Sequence, residues 1–439
     1  MTATSSSTLV RLYCILVSAW REDPDDDYNF AFSPYSISAL LSILYFGARG
    51  TTQDQLKDVY FQGRSPDDAA KCLRDAIPAA DRKEEVRDKS DVSSVIVESA
   101  HRLYASKELI EHSVSAFDGF RGTVEENLNA EALSADFQTK CEDERRKINE
   151  WVAAVTGGKI TDILPPASVT SETALLLVGA LYFKGEWLKP FSPCEGHGPS
   201  KFYRQDPSGA TVFQEGIRFM EATQVCNNVF CYRFKHTTRP GFGATVLEVP
   251  YIDHRCSMVF FMPDAPADLV KLEEIWHDNP DLLSDLLQEM DETSSTELRD
   301  VELKVRLPYF KLGGETMSLL PILKTLGLKD FCSSNADLSG INGSRNMSVS
   351  GVFHQCIVEI DETGTEAAAG AAASIACTSI PVIRERKTIN VDRSFLFQIR
   401  RLRQMRDGRA ARSAVSRRDD DVFFVGRVVD MIALQGENE

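Results

Sequence analysis

The 439 residues suffice for two or three average domains or one large one, and 43% hydrophobic with 26% charged residues is ordinary globular usage. No apolar run approaches the ~20 residues that span a bilayer. The 65 Asp plus Glu against 49 Lys plus Arg give a net charge of -16, which disfavours nonspecific binding to nucleic acid or an anionic membrane.

Residues 9–19 are apolar apart from Arg11 and Ser18, and Val17-Ser-Ala19 fits a signal-peptidase site. A Ser/Thr-rich start before Leu9, Leu12, Leu16 and Trp20 fits a capped amphipathic helix better, which favours a retained segment and a cytoplasmic location over an extracellular one. Ten scattered cysteines without a CxxC pair read as free thiols, in keeping with a reducing compartment, whereas the sequons at Asn342 and Asn346 are compatible with secretion.

Residues 32–46 predict a buried helix stopped by Gly47 and Gly50. A polar stretch over residues 64–94 predicts a helix and then a loop. Residues 95–104 read as a strand, 143–155 as a charged helix with Ile148, Trp151 and Val152 on one side, and 174–184 as a strand buried on both faces. Residues 245–250 and 257–262 form a hairpin pattern, 280–293 another amphipathic helix, and 301–307 and 352–360 alternate like strands. With no internal repeat, one α+β domain is the simplest account.

No GxSxG, HExxH, GxxxxGK[ST] or post-strand GxGxxG is present, so an enzyme is the weakest of three functional readings, and neither cofactor nor metal is expected. The informative segment runs from Glu362 through Gly364, Thr365, Glu366, Ala367, Ala368, Ala369 and Gly370 to Ser374. Its alanines favour a short exposed helix or a linker. The sharper alternative needs a second state. If the segment enters a sheet as a new strand, Thr365, Ala367, Ala369, Ala371 and Ala373 face the buried side, and only small side chains slip between strands already in place, while Glu366 faces solvent.

This hinge resembles that of the serpins, and the resemblance covers nearly the whole chain. Asn29-Phe-Ala-Phe-Ser-Pro, Gly47-Ala-Arg-Gly-Thr-Thr, Ile148-Asn-Glu-Trp, Leu181-Tyr-Phe-Lys-Gly-Glu-Trp, Leu247-Glu-Val-Pro-Tyr, Leu307-Pro-Tyr-Phe-Lys-Leu, Ala336-Asp-Leu-Ser-Gly and Ser394-Phe-Leu-Phe stand in the family's order. The overall pattern is similar to the intracellular-type inhibitory members. The resemblance implies a monomeric domain of three β-sheets and about nine helices with an exposed reactive loop over residues 362–385. Cleavage by a serine protease would form an acyl-enzyme, and hinge insertion into the main sheet would trap it. It places the cut between Thr378 and Ser379, which suits an elastase-like or subtilisin-like pocket. A trypsin-like enzyme would prefer Arg384, Arg386 or Lys387, and Cys377 beside the bond reads as an inert small residue. Ser33, Ser36 and His354 match a cluster beneath the main sheet that controls its opening, with a departure at Gly179, where the family usually has Asn. The rival within the family is a noninhibitory chaperone, carrier or storage protein.

Arg400, Arg401, Arg403, Arg406, Arg409, Arg412, Arg417 and Arg418 crowd into residues 400–418. They are expected in an inserted loop, either solvated or docking a sulfated polyanion.

Overall fold

The computed structural model describes residues 6–20, 28–76, 95–194, 201–206, 208–225, 230–235, 242–252, 256–297, 301–362, 385–401 and 422–435. Its main sheet runs, in spatial order, Phe310–Gly313, Val349–Ile360, Leu175–Gly185, Val95–Ser106 and Glu131–Ala135, with Met317–Ser318 also paired to Val349–Ile360. A second sheet, antiparallel throughout, is ordered Phe30–Phe32, Val422–Val428, Phe395–Arg401, Cys256–Pro263, Gly243–Pro250 and Phe230–Lys235. The predicted hairpin forms its Gly243–Pro250 and Cys256–Pro263 pair. A third sheet joins Glu385–Asn390, Val301–Pro308, Phe219–Val225 and Ser192–Pro193.

The run Leu175–Gly185 has no polar face to offer solvent, so it needs cover on both sides. One side meets the helix Pro34–Gly47, apolar almost all round and therefore central, which touches Val95–Ser106, Leu175–Gly185 and Val422–Val428. The other side meets the helix Phe137–Val155, whose Phe137, Ile148 and Val152 pack on Leu176, Val178, Ala180 and Tyr182. That helix starts at an Asp136 cap, whose carboxylate accepts from the Thr139 N–H at 3.1 Å. Trp151 lies under the Arg102 guanidinium, 3.9 Å from the ring centre.

The N-terminal pattern forms the helix Ser6–Trp20, and Leu9, Leu12 and Leu16 are buried in the core. On the same helix the Tyr13 hydroxyl donates to Glu273 Oε1 at 2.5 Å, and Arg427 Nε donates to that oxygen at 2.7 Å. This buried triad joins the helix to Leu269–Asp278 and to Val422–Val428.

The number of elements agrees with expectation to within short pieces. The described residues hold twelve α-helical segments, in rough agreement with the nine or so that the resemblance implies, the count being enlarged by one-turn pieces such as Lys107–Ile110 and Ser339–Asn342. A two-stranded ribbon, Phe202–Gln205 with Thr211–Gln214, adds to the three expected sheets. The polar stretch begins with the helix Pro66–Ala76, and residues 77–94 lie outside the described residues.

Candidate functional site

The strands Val349–Ile360 and Leu175–Gly185 are neighbours in the middle of the main sheet and run parallel, with Gly351 opposite Leu176, His354 opposite Gly179 and Glu359 opposite Lys184. A chain that leaves the end of Val349–Ile360 and turns back between them would run antiparallel to both. Antiparallel ladders are slightly more stable per residue than parallel ones, so this seam is where an added strand gains most. Gln355 and the remaining paired residues close the seam along its length, so it holds no added strand.

The root of the loop is tied at the same end. Trp187 Nε1 donates to the Asp361 carbonyl at 2.8 Å, Lys184 pairs with Asp361 at 2.9 Å, and the Phe191 N–H donates to the Glu362 carbonyl at 3.0 Å. The Tyr309 hydroxyl hydrogen-bonds the Glu362 side chain; burial first, and that carboxylate second, push its pKa upward. Residues 363–384 lie outside the described residues, and with them Gly364, Thr365, Glu366, Ala367, Ala368, Ala369, Gly370, Cys377, Thr378, Ser379 and Arg384. The chain is described again in the strand Glu385–Asn390, which pairs in parallel with Val301–Pro308.

Ser33, Ser36 and His354 do come together. Ser33 caps the helix Pro34–Gly47: its Oγ accepts from the Ser36 N–H at 3.0 Å, and its own N–H donates to His354 Nε2 at 3.1 Å. Because an N–H can only donate, Nε2 is the acceptor and the ring proton sits on Nδ1, which lies 3.2 Å from both the Gly179 carbonyl and Ser36 Oγ. Burial holds the ring neutral, lowering its pKa from 6.5 to about 4. One residue was missed in the sequence: His101, whose Nε2 is 2.9 Å from Ser36 Oγ. It stands among Glu98, Ser99, Arg102 and Tyr104 in residues 95–104, and nothing in that spacing singles it out.

The basic segment is corrected at its start. The strand Phe395–Arg401 carries on through Arg400 and Arg401, with Arg400 opposite both Ser257 and Val422 and only 4% exposed. Arg401 donates to the Asp75 carbonyl. Neither belongs to an inserted loop, because the ladder with Cys256–Pro263 holds both; Arg403, Arg406, Arg409, Arg412, Arg417 and Arg418 lie outside the described residues. Asn342 is a structural residue: it is 1% exposed, and its amide donates to the Leu109 carbonyl at 2.8 Å and to Asn346 Oδ1 at 2.9 Å. Asn346 is exposed. The seven cysteines whose side chains are described, Cys14, Cys72, Cys141, Cys194, Cys256, Cys332 and Cys356, are free thiols, and the described residues contain no cluster able to hold a metal ion.

This architecture has counterparts among known proteins. The chain is 31% identical over 375 residues to the leukocyte elastase inhibitor of Xenopus laevis and 32% identical over 380 residues to that of Homo sapiens, covering 85% of this chain and 89% of each relative. The structure of Arabidopsis AtSerpin1 in its native stressed conformation superposes with a TM-score of 0.69 at 25% identity, covering 98% of this chain and 99% of that one. The family model described as serpin (serine protease inhibitor) matches residues 10–407. With a seam closed at the centre of its main sheet and a loop rooted beside it, this chain belongs to the serpin family of serine protease inhibitors.

Proposed function

We propose that this serpin baits an elastase-like or subtilisin-like serine protease with the bond between Thr378 and Ser379 and traps it by inserting residues 365–376 into the parallel seam. The closed seam carries this reading. The strand Val349–Ile360 has 12 residues and is about 40 Å long at ~3.3 Å per residue. A strand of equal length starting at Thr365 ends at Ala376, two residues before Thr378, so a protease held on Thr378 would be carried the full length of the sheet. A small residue at the cut suits a narrow, uncharged pocket. The relatives called leukocyte elastase inhibitor support that choice of target.

The path is covered by the helix Phe137–Val155, so insertion must pass beneath it. Trypsin-like cleavage at Arg386 or Lys387 is disfavoured, because both lie within Glu385–Asn390, opposite Glu302 and Leu303, where the backbone is already committed to a ladder. A protease cleft needs unpaired, extended backbone.

Incubation with pancreatic elastase, subtilisin and trypsin, followed by denaturing gels and mass spectrometry, tests the reading. A complex that survives denaturation, with a released peptide beginning at Ser379, is expected with the first two enzymes. Cleavage without any complex, or a trapped complex cut at Arg386, contradicts it.

A further inference from the structure

His101, Gly179 and His354 form one row across three adjacent strands: His101 is directly opposite Gly179 on one side and His354 directly opposite it on the other. Residues in register across a sheet share a face. Here that face is the one under the helix Pro34–Gly47, because Ser36, in the first turn of that helix, is reached by both imidazoles, His354 Nδ1 at 3.2 Å and His101 Nε2 at 2.9 Å. Gly179 between them has no side chain, and the helix descends onto it. A Cβ there would come within 2.9 Å of Ser36 Oγ and 2.8 Å of Leu40 Cδ1. A strand glycine is costly unless another element approaches closely, and this approach supplies the reason.

We infer that His101 ties the main sheet shut through Ser36, in place of the side chain that position 179 lacks. The inference rests on the insertion reading above. Opening the seam separates His354 from Gly179. Ser36 is bonded from both sides of that parting line, so it must release one imidazole as the strands move apart. The His354 proton points at the Gly179 carbonyl and Ser36, which leaves the Ser36 hydroxyl hydrogen to be donated to His101 Nε2. Without His101, Ser36 stays with His354 and opening breaks one bond fewer. A histidine that only satisfied its own strand would point to solvent or to a sheet neighbour. This one crosses to the helix.

The test is uptake of a fluorescent peptide of residues 365–376 by the uncleaved protein, followed on native gels. His101→Ala and His101→Phe are each expected to take up peptide about five- to tenfold faster than the unsubstituted protein, the factor carried by one net hydrogen bond. H101Q, whose amide can still meet Ser36, should stay near the unsubstituted rate. Because His101 acts through Ser36, H101A/S36A should be no faster than S36A alone. Rates for H101A and H101F within twofold of the unsubstituted protein, or effects of H101A and S36A that multiply, would overturn the inference while leaving seam insertion intact. If H101A does not fold, H101F and H101Q decide the matter. An unsubstituted protein that takes up no peptide overturns this inference and the insertion reading together.

Discussion

The strand Leu175–Gly185 is held differently on its two sides. Toward Val95–Ser106 it is antiparallel, with Val95 to Ala105 paired without a break; toward Val349–Ile360 it is parallel, with an irregularity between Val349 and Gly351. The same apolar strand thus carries one seam suited to staying shut and one suited to parting. The choice between them is made by chain direction: only at the parallel seam can the segment after Ile360 turn back and lie antiparallel to both neighbours. The row of His101, Gly179 and His354 spans both seams, which is why a bond on the permanent side can restrain the other.

The largest expected effect comes from locking one seam at a time. Gln355 is opposite Ala180 across the parallel seam, and Ala100 is opposite Ala180 across the antiparallel one. Neighbouring strands lie ~4.8 Å apart, within reach of a disulfide. Oxidised A180C/Q355C should lose all trapping and be cut as a plain substrate, with inhibition restored by reductant. Oxidised A100C/A180C should keep trapping. Equal inhibition by both, measured as complex on denaturing gels, would erase the distinction between the seams.

Next is Glu273→Ala in the triad with Tyr13 and Arg427. Glu273 and Arg427 are buried to 9% and 8% side-chain exposure, so removing the acid breaks a buried ion pair and the Tyr13 hydrogen bond together and should cost about 3–5 kcal/mol in urea unfolding. This clamp is not part of the seam's own ladder, so the proportion of protease trapped at low temperature should not change. A parallel loss of trapping would show the two regions to be coupled.

The pH dependence comes third. His354 is held down to about 4 from 6.5, so on acidification the unfolded chain takes the proton first. Its contribution is complete above pH 6.5 and is lost as pH falls toward 4, by up to about 1.4 kcal/mol per unit. Burial and the neighbouring His354 lower His101 in the same direction. The unfolding midpoint should therefore drop across that window, and His354→Gln should flatten the drop. An unchanged slope in that variant would remove the row from the account.

The smallest effect is expected at Arg386, whose side chain is 82% exposed and meets Glu302 at 2.6 Å. Arg386→Ala should change stability by less than about 1 kcal/mol and leave the mapped bond unmoved.

Much of this was legible in the sequence because it is written in local patterns. The continuous apolar run at 174–184 announced a strand covered on both faces. What stayed hidden depends on register. His101 looks like one more residue of a half-polar strand until pairing puts it opposite Gly179. Arg400 and Arg401 look like the start of a basic loop because charge, read along the chain, obscures a ladder made with the sequence-distant Ser257 and Cys256; Asn342 looks like a glycan acceptor until its amide is found spent on Leu109 and Asn346. Gly179, read as a lost polar partner, proved to be the place where the helix seats and where a neighbouring strand's imidazole reaches across.

The central claim is that the closed seam is a higher-energy arrangement awaiting a strand. It is tested most directly by the unfolding temperature before and after the loop is cut within residues 363–384. Insertion would replace one parallel ladder along a 12-residue strand by two antiparallel ones. At ~0.5–1.5 kcal/mol for each of about a dozen added hydrogen bonds, and about 1 °C per kcal/mol for a chain of 439 residues, the account predicts a midpoint raised by about 5–20 °C. An unchanged or lower midpoint after clean cleavage would mean that the seam does not accept the loop, and would contradict it.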